Sequence, residues 1–100
     1  MSRRARVRWL SKTEGGRTSL PGGERYVTIG RFPEEGPGWP DGAWSVVIDF
    51  ETPPAEQGNP SVGTASFLME AAPQERLEQG THFELYEGLS KVADVELLDE

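Results

Sequence analysis

One hundred residues with 35% hydrophobic and 27% charged side chains, 12 glycines and 8 prolines suit one domain spanning 1–100 and leave no room for a second. Ten Lys and Arg against seventeen Asp and Glu give a net charge of −7, which repels phosphate backbones and argues against a general nucleic-acid coat protein. The chain has no cysteine, no apolar run near the roughly 20 residues of a membrane helix and no apolar stretch behind its arginine-rich start, so a cytoplasmic, unexported protein without a disulfide framework, Cys-ligated zinc or thiol nucleophile is expected.

Arg4 to Trp9 alternates charged and apolar residues, which puts Arg4, Arg6 and Arg8 on one face of a strand and Ala5, Val7 and Trp9 on the other. Residues 11–23 then pass through Gly15, Gly16, Pro21, Gly22 and Gly23 and read as a long loop. Glu24 to Phe32 resumes strand character, and 33–42 is a second loop, broken by Pro33, Pro37 and Pro40, in which Trp39 is either a lid over the core or an exposed contact. Ala43 to Glu51 is the clearest strand, with Trp44, Val46, Ile48 and Phe50 inward and Ser45, Val47, Asp49 and Glu51 outward. A third loop, 52–60, leads to a strand over Val62 to Met69 with Ala65, Phe67 and Met69 on one side. Pro73 to Gly80 opens on proline and closes on glycine, as one or two helical turns do. His82 to Glu87 turns Phe83 and Leu85 inward, and Leu89 to Leu98 sets Ala93, Val95 and Leu97 opposite Asp94 and Glu96.

Six strands and one short helical turn make an all-β domain, best satisfied by a closed antiparallel barrel because closure removes exposed edges; a small sandwich is the competitor. The charge is lopsided. Residues 1–31 hold eight bases and two acids, a balance of +6, whereas 32–100 hold two bases and fifteen acids, a balance of −13. Such asymmetry marks either a basic arm for an anionic partner or a basic strand lying beside an acidic one. The second reading places Arg6 and Arg8 near Asp94 and Glu96.

The run Leu10-Ser11-Lys12-Thr13-Glu14-Gly15-Gly16-Arg17, with Pro21 after it, resembles the opening of the C-terminal β-barrel, domain III, of elongation factor Tu. Gly80, Phe83, Leu85, Glu87 and Gly88, followed by Val92, Ala93 and Val95, are similar to that family's closing strands. The two segments cover about a third of the chain. The resemblance implies a six-stranded antiparallel Greek-key barrel standing alone. In the family this barrel contacts aminoacyl-tRNA, other domains and partners, while the nucleotide site lies elsewhere. The stretches 25–30 and 88–93 depart from the family's pattern near those contact surfaces, which implies a retained scaffold and a lost tRNA surface.

No phosphate-cradling Gly-x-x-x-x-Gly-Lys-Ser/Thr loop, no Gly-x-Ser-x-Gly nucleophile elbow and no cofactor motif occurs, so neither GTP hydrolysis nor other catalysis is expected. His82 with Glu84 supplies two ligands on one strand face, short of a metal site, and a small hydrolase or metal enzyme is the remote alternative. Lys12, Glu14, Gly15, Gly16 and Arg17 form either an anion-binding nest or a structural loop pinned to the barrel by Arg17 or Glu14. The expected function is a non-catalytic binding or adaptor module that engages another protein through loops 11–23 and 33–42. Its candidate contacts are Lys12, Glu14, Gly15, Gly16, Arg17, Phe32 and Trp39. The alternative is RNA or tRNA binding through Arg4, Arg6 and Arg8.

Overall fold

The computed structural model describes residues 1–99. Six strands form it: β1 (Ser2–Trp9), β2 (Arg25–Arg31), β3 (Ser45–Asp49), β4 (Ser61–Phe67), β5 (His82–Glu87) and β6 (Ser90–Leu97). Two four-residue helices, α1 (Pro54–Gln57) and α2 (Glu75–Glu78), and a 3-10 turn at Lys12–Glu14 lie in the connections. The strands close into a barrel in the order β1-β4-β3-β2-β5-β6, with β6 returning to pair with β1, and every pairing is antiparallel. Three consecutive neighbours, β2, β3 and β4, with β5 coming back beside β2, are a Greek key. Closure gives every strand two neighbours, although β2 meets β5 only over Ile29–Arg31.

Alternation decides what fills the barrel. Ala5, Val7 and Trp9 of β1, Val46 and Ile48 of β3, Phe83 and Leu85 of β5, and Ala93, Val95 and Leu97 of β6 all turn inward and are buried. Aromatic rings plug the two mouths. At one end Trp9 meets Tyr26 edge-on at 5.2 Å and Phe50 at 6.4 Å; at the other Phe32 stacks on Phe83 at 4.6 Å and leans on Phe67 at 5.4 Å. The buried indole N–H of Trp9 donates to Ser61 Oγ, which donates in turn to the Gly58 carbonyl, so no polar group is left stranded there.

The elements depart from the sequence expectation in five places. β4 ends at Phe67, so its inward series is Ser61, Gly63, Ala65 and Phe67, while Met69 lies beyond the strand and is 55% exposed. β3 is shorter than 43–51, and Trp44 is only partly buried against the core. The loop 52–60 contains α1, whose Pro54 is buried. Val92 is the extra residue of a bulge: Leu85 pairs with Ala93 but Tyr86 with Lys91, which turns Val92 inward as well.

β1 also starts two residues early, which brings in Arg3 with the parity of the core series Ala5, Val7 and Trp9. An arginine at that position cannot enter an apolar barrel, and its guanidinium emerges at the mouth instead. There it donates to the carbonyls of Leu77 (2.9 Å), Glu78 (3.2 Å) and Gly80 (2.7 Å) at the end of α2, and to the Leu98 carbonyl (3.1 Å). Leu77 is fully buried beneath, so α2 is a lid on the Phe32 end and Arg3 is its latch.

Candidate functional site

The basic strand is neutralised by its neighbour. Register sets Arg6 opposite Glu96 and Arg8 opposite Asp94, and the side chains meet at 2.6 and 2.8 Å, as the charge pattern predicts. Arg8 also lies 3.8 Å from Glu14, and Lys91 bridges Glu84 (2.9 Å) and Asp94 (2.7 Å). Burial works to raise the Asp94 carboxyl, but hydrogen bonds from Lys91 and Arg8, with their charges, hold it below its ordinary value. Hydrogen bonding to Asp94 and Glu84 holds Lys91 above its own against some burial. Of the three arginines proposed for RNA, only Arg4 is without an ion pair among the described residues; its cross-strand neighbour is Thr64.

Loop 11–23 is folded on itself and tied to the barrel. The N–H groups of Glu14, Gly15 and Gly16 donate to the carbonyls of Ser11, Lys12 and Ser11 at 3.0, 3.0 and 2.8 Å, so the donors of an anion nest are spent inside the loop. Glu14 accepts from the Ser11 N–H at 2.8 Å, and that bond, with one to the Ser11 hydroxyl, holds its carboxyl below the ordinary value. The two glycines are required: Gly15 has φ +92°, and a Cβ on Gly16 would sit 2.2 Å from the Leu10 carbonyl oxygen. Arg17 donates to Glu87 and to the Ser19 carbonyl, and lies 5.7 Å from the Tyr26 ring centre. Tyr26 donates its hydroxyl to the same Glu87. Burial and the Glu87 carboxylate push the Tyr26 hydroxyl far above its ordinary value. Burial opposes ionisation of Glu87, yet the bonds from Tyr26 and Arg17 hold it low. Lys12 alone of this group is an exposed base without an ion pair among the described residues.

Loop 33–42 lies at the other end of the barrel. Strand register requires this: residues 10–24 follow Trp9 at the end where β4 and β6 begin, whereas 32–44 follow Arg31 at the end where β3 and β5 begin. Seven strand residues at about 3.3 Å each separate the two by roughly 20 Å. One contact surface therefore does not unite the two loops. Phe32 is 3% exposed and belongs to the core, which corrects its expected role as a contact, because it is the ring that closes this mouth. Trp39 is half-buried. It folds back on the outside of the barrel, with Nε1 donating to the Gly30 carbonyl at 3.1 Å and its ring 4.5 Å from Tyr86. Arg31 lies over it at 5.2 Å.

Beyond Arg31, the next two rows of this outer wall carry no charge. Tyr86 pairs with Ile29, Ile29 with Ser45, and Ser45 accepts the Leu68 N–H, which makes one row across four strands' width. Val27, Val47 and Ser66 make the next row. Val27 is 45% and Leu68 52% exposed, while Val47 between them is 1% exposed although it faces outward. The third row holds the Arg25–Asp49 pair at 3.7 Å, where charge resumes. The opposite wall, β1 and β6, is the ionic ladder described above. Alternation already set Val47 outward; an outward valine beside an outward Val27 is the signal in the sequence that pointed to this face.

His82 is exposed, contacts the Thr81 hydroxyl at 3.0 Å and pairs across the strands with Glu96. Its neighbour Glu84 is held by Lys91. Among the described residues no three His, Cys, Asp or Glu side chains are grouped to hold a metal ion, and no helix is long and apolar enough to cross a membrane. No protein-family model and no curated protein matches the sequence.

Proposed function

We propose that this chain is a non-catalytic β-barrel binding module that engages another protein through the uncharged outer wall of β2, β3 and β4 and the Trp39–Tyr86–Arg31 cluster beside it. The observation that carries this reading is the contrast between walls: one spends its charges on itself, the other leaves Val27 and Leu68 in water next to two aromatic rings and an arginine. Trp, Tyr and Arg are the side chains that dominate interface energetics, and contiguous exposed apolar surface marks contact sites. Every strand of the barrel already has two neighbours, which favours a partner gripped mainly by side chains. Kinship with domain III of elongation factor Tu belongs to the same proposal; it rests on the segments 10–17 and 80–88 and is supported by the six-stranded Greek-key order. A cysteine-free sequence supports a cytoplasmic setting.

Affinity capture from the native host tests the reading, with wild type, Val27→Asp and Arg6→Gln/Arg8→Gln as baits and mass spectrometry as the readout. The expected result is a protein recovered by wild type and by the β1 variant, lost with Val27→Asp, and rebinding when purified. Recovery that depends on Arg6 and Arg8, or tRNA in place of protein, would transfer the function to the basic strand.

A further inference from the structure

We infer that the buried Arg76–Glu35 pair couples lid α2 to Trp39, so that the lid and the aromatic cluster of the binding wall loosen and tighten together. The inference rests on the reading of that cluster as part of the binding site and adds how the site is held in shape. Within 33–42 every residue is exposed except Glu35 and Trp39. The backbone bonds of the loop are local turns, with the N–H groups of Glu35, Trp39 and Asp41 donating to the carbonyls of Phe32, Gly36 and Gly38. Beyond those turns, two hydrogen bonds among the described residues tie the loop down: Trp39 Nε1 to the Gly30 carbonyl at 3.1 Å, and Arg76 to the Glu35 carboxylate at 2.9 Å. No other ion pair among the described residues is as buried on both sides, and the Arg76 guanidinium also lies 5.8 Å from the ring centre of Phe32. Arg76 belongs to α2, which Leu77 and the Arg3 latch seat on the barrel mouth. With the pair in place the span between anchors is the three residues 36–38; without it the span back to the core at Phe32 is the six residues 33–38. Doubling a loop lowers the chance of closing it roughly three-fold, so breaking the pair raises the population with Trp39 off the wall by about that factor. Coupling between two contacts is reciprocal, so freeing Trp39 weakens the hold on the lid in turn.

Hydrogen exchange followed by two-dimensional NMR on the full chain tests the coupling from both sides, since exchange rates follow the open population. The Trp39 indole N–H reports the cluster, and the amides of Leu77 and Gln79 report the lid. The Trp9 indole N–H, held by Ser61 inside the barrel, reports opening of the whole domain. The expected result is Trp39 indole exchange roughly three-fold faster in Arg76→Met and in Glu35→Gln, no further gain when the two are combined, partial return in Arg76→Lys, and no matching change at Trp9. Trp39→Ala removes a side chain whose polar and ring contacts are Gly30, Tyr86 and Arg31. It should nonetheless quicken Leu77 and Gln79 about two- to three-fold, and leave them unchanged once Arg76→Met is present. An unchanged Trp39 indole in Arg76→Met and Glu35→Gln, or lid amides indifferent to Trp39→Ala, would overturn the coupling. Equal acceleration at Trp9 and Trp39 would also overturn it, because the pair would then serve global stability alone. Either result leaves the wall reading in place, since the Val27→Asp capture involves neither Arg76 nor Glu35. If exchange is coupled as expected but capture yields no Val27-dependent protein, the wall reading falls and the inference falls with it as an account of binding.

Discussion

Replacing Arg3 with alanine removes a side chain, 16% exposed, whose guanidinium serves the carbonyls of Leu77, Glu78, Gly80 and Leu98 and the exposed Asp99 carboxylate from the mouth of the barrel. A hydrogen bond from a charged donor contributes about 1.5–3 kcal/mol net. These bonds share one group and do not add, and water reaches part of the vacated space, so a loss of about 2–4 kcal/mol is expected. For a domain of this length that corresponds to a fall in melting temperature of roughly 10–25 °C. The urea midpoint shifts with it at unchanged slope, because the surface exposed on unfolding stays the same. Hydrogen exchange should quicken first at Leu77 and Gln79, the lid that loses its latch. Arg3→Lys recovers less than half of the loss, since one compact ammonium cannot span carbonyls on two segments as a planar fork does. Arg4→Ala, one residue on and facing out beside Thr64, stays within about 0.5 kcal/mol of wild type. Equal losses for the Arg3 and Arg4 variants, or a loss under about 0.5 kcal/mol for Arg3→Ala, would show that Leu77 packing holds the lid without the guanidinium.

Phe32→Ala empties the aromatic plug at the Phe83 end and costs about 3–5 kcal/mol in chemical denaturation; a cost under about 1 kcal/mol would return Phe32 to the surface. Acid also has a defined direction of effect. Glu87 and Asp94 ionise more readily folded than at their ordinary values of 4.5 and 3.8, so their contribution is complete above those values and drains away as pH falls through the lowered ones. Glu87→Gln should flatten the acid limb of the stability curve measured by urea midpoint. At the alkaline side Tyr26 and Lys91 are raised from 10.0 and 10.5, so their contributions persist below those values and disappear as pH climbs beyond them, and Tyr26→Phe removes part of that loss.

Strand existence was legible wherever alternation ran five residues or more, as in Val46 and Ile48 against Ser45 and Asp49, because a half-buried barrel wall imposes period two on composition. The Arg6–Glu96 and Arg8–Asp94 pairs followed from the same rule applied to charge. Three features escaped it for physical reasons. Val92 turns inward through a bulge, which breaks the period without a glycine or proline to mark it. Phe32 sits at a strand end next to a proline loop, where periodicity has no further residues to act on, and only the closure of the mouth by Phe67 and Phe83 decides its burial. Arg3 carries the parity of a core residue, which sequence logic discards for an arginine. Its length lets the charge leave the barrel while its stem stays at the rim.

The excess of acid over base acquires its meaning from that geometry. Had the arginines of β1 faced the uncharged rows of β2 and β3, the basic segment would have been free and the molecule bipolar. Closure of the barrel through the β1–β6 pairing sets them against Glu96 and Asp94, and Arg17 and Arg76 are drawn to Glu87 and Glu35. Most of the positive charge is thereby consumed within the wall and the loops, and the negative remainder is left in the connections. Exposed ion pairs of this kind contribute only about 0–1 kcal/mol each to stability. Their larger consequence is for recognition: anything approaching β1 meets an already satisfied ladder, with Arg4 the outward arginine left without an ion pair among the described residues.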